Sequence, residues 1–143
     1  MIYPDTSVLI AAATREKFTS NALRLLAATP AGGLLASLWT RTELASALGV
    51  KQRSDRIDAA GRLAAARTLR ALLDDAFTIV PVEDRHFRLA TEMMERDVAP
   101  LKAPDALHLA ITSAVGATLW TGDRPMVTAA KALGVPVRHI TEA

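Results

Sequence analysis

Short segments of strand-forming residues alternate along this chain with longer stretches of helical period, and that alternation restricts the fold more than any other feature. The strand candidates are Met1 to Asp5, Leu34 to Ser37, FTIVPV from Phe77, ATLWT from Ala117 and VPVRHI from Val135. Between the first two, SVLIAAA and NALRLLAA read as short helices, with Ser20 as the N-cap of the second. A helix from Leu38 to Gly49 and a longer one from about Asp55 to Asp75 follow, the latter with Ile57, Leu63, Leu69, Leu72 and Leu73 as apolar positions. Asp84 to Arg96 offers Phe87, Leu89, Ala90, Met93 and Met94 for packing. Pro104 suits the first turn of a helix that runs to Gly116, and Pro125 opens a last one that Gly134 ends. Strands alternating with helices call for a parallel sheet covered on both faces.

The chain has 143 residues, of which 50% are apolar, enough for one domain with a full core, expected to span 1–143. It has no run that approaches a membrane span, and MIYPDTSVLI lacks the basic region of a signal peptide, so a cytoplasmic protein with no membrane role is expected. The absence of cysteine excludes disulfides, thiolate zinc sites and cysteine nucleophiles. Net charge is +2, yet between Lys51 and Arg70 six basic residues face only Asp55 and Asp58. Such a stretch forms a phosphate-attracting ridge if its charges share a face, and an ordinary solvated helix if they do not.

Four of the fifteen acids are set in apolar or small-residue sequence: Asp5 in IYPDTSVLI, Glu43 in LWTRTELASAL, Asp105 in APDALHLAI and Asp123 in ATLWTGD. A carboxylate near a low-dielectric interior needs a proton, a cation or strong donors. Asp5 and Asp123 fall at the carboxyl ends of predicted strands, the edge where open α/β sheets bind ligands. Asp105 and Glu43 lie in the early turns of helices entering from that edge, so the four converge if the first and fourth strands are neighbours. Carboxylates alone suit a hard cation such as Mg²⁺ or Mn²⁺, and the matching reaction is phosphodiester hydrolysis.

Simple helix capping also accounts for Asp5, Asp105 or Asp123 taken singly, but Glu43 is too deep in its helix to cap it. Thr6, Ser7 and Thr121 flank two of the acids and can bond a carboxylate or a bound water, while Ser7 can equally cap its own helix. His108, one turn after Asp105, is placed to reach the site, but among Leu107, Leu109 and Ile111 it reads first as a hydrogen-bonded core or interface residue. His86 and His139 have no spacing suggestive of zinc, and Trp39 and Trp120 read as core.

Four segments in order, DTSVLIA, TELASAL, APDALHLAIT and LWTGDRPMVTAAKALGVPV, resemble the PIN-domain ribonucleases, specifically the VapC toxins of type II toxin–antitoxin pairs. The resemblance covers nearly the whole chain. It implies a three-layer α/β/α sandwich with a mainly parallel sheet of four to five strands and endonucleolytic cleavage of RNA dependent on Mg²⁺ or Mn²⁺. Asp5, Glu43, Asp105 and Asp123 would serve as catalytic, metal-binding residues, with Asp5 and Asp105 binding most directly and Glu43 and Asp123 completing the shell through direct or water-mediated contacts. It also implies a VapB-type antitoxin partner, a homodimer, and contact with promoter DNA only through the antitoxin. Arg15, Lys17, Arg41, Lys51, Arg53 and Arg56 are the candidates to hold the RNA backbone. Pro4 departs from the family's habit of a strand former before the first aspartate, and is best tolerated if its missing N–H faces no neighbour. Two other readings stand beside this one: a non-catalytic RNA-binding module, and a phosphatase or phosphoacceptor domain using Asp5, against which Ser7 occupies the place of a second acid.

Overall fold

In the computed structural model, which describes residues 1–142, the five strand segments form one sheet in which every neighbour is parallel. The strands are β1 (Ile2–Pro4), β2 (Leu34–Ser37), β3 (Phe77–Val80), β4 (Thr118–Thr121) and β5 (Val137–His139), and their spatial order is β3-β2-β1-β4-β5. Direction of winding therefore reverses between β1 and β4, whose register pairs Ile2 with Thr118 and Pro4 with Trp120. That is the crevice where doubly wound sheets open for a ligand.

Side-chain alternation divides the core into layers. Tyr3, Leu35 and Leu119 point to one face, under α5 (Asp84–Glu95), α6 (Ala103–Ala114) and α7 (Arg124–Ala132). Leu34, Ala36 and Trp120 point to the other, under α1 (Thr6–Ala13), α2 (Thr19–Ala27), α3 (Leu38–Arg53) and α4 (Ala59–Ala76). The three-layer α/β/α arrangement follows from this period of two.

Several local expectations are corrected. The second helix starts at Thr19, one residue before the expected cap at Ser20, and the Thr19 hydroxyl accepts from the Glu16 amide at 2.8 Å. The third helix continues through Gly49 to Arg53. The fourth starts at Ala59, because Asp55 takes a left-handed φ of 56° and turns the corner, and the Asp58 carboxylate caps the new helix through the Gly61 amide at 2.7 Å. Leu63, Phe87 and Met94 are solvent-exposed rather than packed. The basic stretch from Lys51 to Arg70 is thus split between two helices and a turn. Pro4 sits where expected: β1 pairs with β2 only at Ile2↔Leu34, and the Asp5 amide beyond it donates to the Trp120 carbonyl at 2.9 Å on the β4 side. Among the described residues no helix is long and apolar enough to cross a membrane.

Candidate active site

The four isolated acids line one open cleft of about 380 Å³ at the carboxyl edge of β1 and β4, together with Thr6, Ser7, Ser46, His108 and Met126. Each is delivered by a different element. Asp5 leaves the end of β1 and caps α1, Glu43 sits in the second turn of α3, Asp105 in the first turn of α6, and Asp123 at the N-cap of α7.

Asp5 is buried and fully bonded to its surroundings. Its Oδ1 accepts from the Ser7 hydroxyl and, at 3.2 Å, from the Val8 amide, and its Oδ2 accepts from the Thr121 hydroxyl. Burial pushes its carboxyl above the usual aspartate range, against the pull of those two hydroxyls, of His108 whenever that ring is protonated, and of the amide. Capping and site membership are therefore both true of Asp5. Ser7 does not cap α1: its hydroxyl donates to Asp5 and accepts from the Gly122 amide at 2.8 Å. Thr121 likewise accepts from the Asp123 amide at 3.0 Å. The β4–α7 turn is thereby tied to Asp5 at two points. Gly122 is required there, since a Cβ would stand 2.4 Å from the Phe18 ring.

Glu43 is half-buried, and its Oε2 accepts from the Thr6 hydroxyl at 2.7 Å and pairs with His108 Nε2. Burial pushes this carboxyl up, but the hydrogen bond from His108, the charge that ring carries whenever it is protonated, and the Thr6 hydroxyl outweigh it, and the net displacement is below the ordinary glutamate range. Asp105 carries no such donors. Burial and then the negative charges of Asp123, Glu43 and Asp5 hold it above the ordinary range, so the cleft is charge-frustrated and favours uptake of a proton or a cation. Asp123 occupies the N-cap position of α7, yet its side chain makes no capping bond, and it is exposed at the rim.

Among the described residues, no three carboxylate or imidazole groups stand close enough to enclose an ion unaided. The donor set still fits a hard divalent cation. Such an ion, Mg²⁺ above all, keeps several waters and takes only one or two carboxylates, and among the described residues the Asp105 and Asp123 carboxylates have no donor to compete with it.

Residues 2–132 match the family model described as PIN domain. The chain belongs to the PIN-domain family. No curated protein matches it in sequence. Solved structures that share the fold include VapC20 of Mycobacterium tuberculosis, a sarcin–ricin loop cleaving toxin, at 22% identity over 90% of this chain and 95% of that one, with a TM-score of 0.71. The FitAB complex bound to an IR36 DNA fragment matches at 15% identity over 97% and 94%, with a TM-score of 0.76. VapBC2 from Rickettsia felis, bound to a DNA fragment from their promoter, matches at 16% over 97% and 98%, with a TM-score of 0.66.

The basic candidates of this PIN domain separate into groups. Arg15, Lys51 and Arg56 line one basin of about 670 Å³ between the far ends of α1 and α3 and the start of α4, where Lys51 is ion-paired with Glu16. Arg41 lies elsewhere, paired with Asp74. Arg53 packs beside Gly49, and Lys17 is exposed outside the basin. His108, which from sequence could reach the site from one turn beyond Asp105 but reads first as a core residue, is both: it is buried and hydrogen-bonded, and its partner is Glu43 in the cleft.

Proposed function

We propose that this PIN domain is a divalent-metal-dependent endoribonuclease toxin of the VapC type, hydrolysing RNA phosphodiester bonds to inhibit translation and growth. The observation that carries the reading is the convergence of four acids from distant parts of the chain on the β1/β4 crevice of a PIN fold. A Mg²⁺ or Mn²⁺ ion would supply there the neutralisation of phosphate charge and the acidification of a water. Asp105 and Asp123 would hold it most directly, with Asp5 and Glu43 behind them.

The protein's own groups set the geometry. Ser7, Thr121 and the Val8 amide fix the Asp5 carboxylate, and Thr6 and His108 fix that of Glu43, so little reorganisation is needed when charge develops. Burial and then the neighbouring carboxylates disfavour the charged form of Asp105, a cost that a bound cation would offset. Arg15, Lys51 and Arg56 would bind backbone phosphates about 12 Å away, the length of the eight-residue α1. A VapB-type antitoxin partner belongs to the same reading, supported by the VapBC2 and FitAB complexes among the structures of like fold, and a homodimer is proposed with it.

The test is incubation of purified protein with total RNA, with Mn²⁺ and with EDTA. Cleavage is expected with metal and not with chelator, and Asp105→Asn is expected to be inactive. Cleavage that survives chelation, or full activity in that variant, overturns the mechanism. Tight RNA binding without product at high protein concentration supports the non-catalytic module instead.

A further inference from the structure

Behind Glu43 lies a group of buried hydroxyls that the proposed chemistry does not use. The Tyr3 hydroxyl is 2.8 Å from Ser37 Oγ, 3.0 Å from Thr40 Oγ1 and 3.1 Å from His108 Nδ1, and all four residues are essentially without solvent contact. A phenol has one proton to give and accepts at most two. The backbone narrows how these are shared. Ser37 Oγ accepts from the Thr40 amide at 3.2 Å, and Thr40 Oγ1 accepts from the Ser37 amide at 3.3 Å, so each hydroxyl keeps its own proton, to give to the phenol oxygen or across the 3.3 Å between the two hydroxyls.

With both of those protons directed at the phenol oxygen, the single phenol proton goes to His108 Nδ1. Burial pushes the Tyr3 hydroxyl up to about 12, so it remains a donor throughout the physiological range. An imidazole that accepts at Nδ1 carries its proton on Nε2, and Nε2 faces Glu43 Oε2. The Thr6 hydroxyl donates to the same oxygen. Both donors thus fall on Oε2, and Oε1 has no partner among the described residues.

We propose that Tyr3 and His108 are positioning residues: a one-way hydrogen-bond relay from Ser37 and Thr40 through the Tyr3 hydroxyl fixes His108 as its Nε2–H tautomer and holds Glu43 with Oε1 free for the cleft. The relay stands on hydrogen-bond geometry alone. Its consequence for a cation rests on the nuclease reading, and the two are measured separately.

The first measurement is ¹⁵N-edited NMR of the histidine rings in metal-free protein at fixed neutral pH. His108 is expected as a single neutral tautomer, protonated at Nε2 and bare at Nδ1. A ring protonated at Nδ1, or at both nitrogens, overturns the relay. The second is Mn²⁺ titration of Tyr3→Phe and His108→Gln. Loss of the phenol proton is expected to mix the tautomers and weaken Mn²⁺ binding about tenfold, the scale typical of an orienting partner. The glutamine amide, which can donate from the Nε2 position, is expected to keep most of the affinity. Tyr3→Phe with an unchanged His108 spectrum and unchanged affinity overturns the relay; a folding failure of that variant leaves the wild-type spectrum decisive. Wild-type protein with the expected tautomer and no Mn²⁺ binding upholds the relay and overturns the nuclease reading.

Discussion

Thr121→Val is the substitution that best separates a site role for the β4–α7 turn from simple helix initiation. Valine matches threonine in shape, so the buried position stays filled and only the hydroxyl goes. That hydroxyl makes two bonds, donating to Asp5 Oδ2 and accepting from the Asp123 amide at 3.0 Å. Donation to a carboxylate contributes about 1.5–3 kcal/mol. The stranded amide adds only about 0–1 kcal/mol, because Asp123 is exposed and water can reach it. The sum is about 1.5–4 kcal/mol. With a urea m-value of about 2 kcal/mol/M, the unfolding midpoint falls by roughly 0.7–2 M with unchanged slope. Freed of one of its two hydroxyl donors, Asp5 also orients less well, and Mn²⁺ affinity falls about 10–100-fold. Thr121→Ser keeps the hydroxyl and is expected to keep most of both quantities. Urea unfolding followed by circular dichroism, with calorimetric Mn²⁺ titration, measures them. A valine variant as stable as the wild type and equal to it in Mn²⁺ affinity would refute the reasoning and reduce Thr121 to a spacer before α7.

Two further outcomes are expected. Asp105 has a folded-state carboxyl raised above its unfolded value, so its contribution to stability is full below the unfolded pKa of about 4 and is lost as pH rises through the folded one. In EDTA, Asp105→Asn should therefore be more stable than wild type at pH 7, with the advantage shrinking toward pH 4. Mn²⁺ at a hundred times its dissociation constant should add about 2.7 kcal/mol to the wild type and little to the variant. For RNA binding, Arg15→Ala and Arg56→Ala should each lower the salt slope of affinity by about 0.7, the share of one phosphate on a single strand. Arg41→Ala, which breaks only the pair with Asp74, should leave the slope unchanged. Fluorescence anisotropy at several salt concentrations reads all three.

The alternation of strand and helix was legible because each element is coded locally: β-branched runs, Pro104 and Pro125 in first turns, Gly116 and Gly134 with left-handed φ past helix ends. Errors fell where tertiary context decides. Leu63 and Phe87 have apolar side chains at positions of helical period that the folded chain leaves uncovered, and nothing local says which helical face meets the sheet. The Asp55 corner was hidden because an aspartate tolerates positive φ without announcing it as glycine does.

The acids were legible for a different reason: a charge in apolar sequence is costly wherever it lands, so its presence carries information before any contact is known. Capping and a place in the cleft are compatible. A side chain placed to satisfy orphan amides at a helix start is also placed at the carboxyl edge of a parallel sheet, and Asp5 does both. What the sequence concealed was the neutral group behind Glu43. Thr6, Ser7 and Thr121 are marked by their place beside the acids, whereas Tyr3, Ser37 and Thr40 are unremarkable one by one, since a hydroxyl in a strand or at a cap has many ordinary uses. Their shared feature is register. Tyr3 precedes Asp5 by one strand repeat, and Ser37 ends β2 beside it, so the period that buries the phenol also aims it behind the acids. A search for hydroxyl-bearing residues two positions before an isolated strand-end acid is therefore a physical criterion for donors that orient such a site, and in this chain it leads through His108 to Glu43.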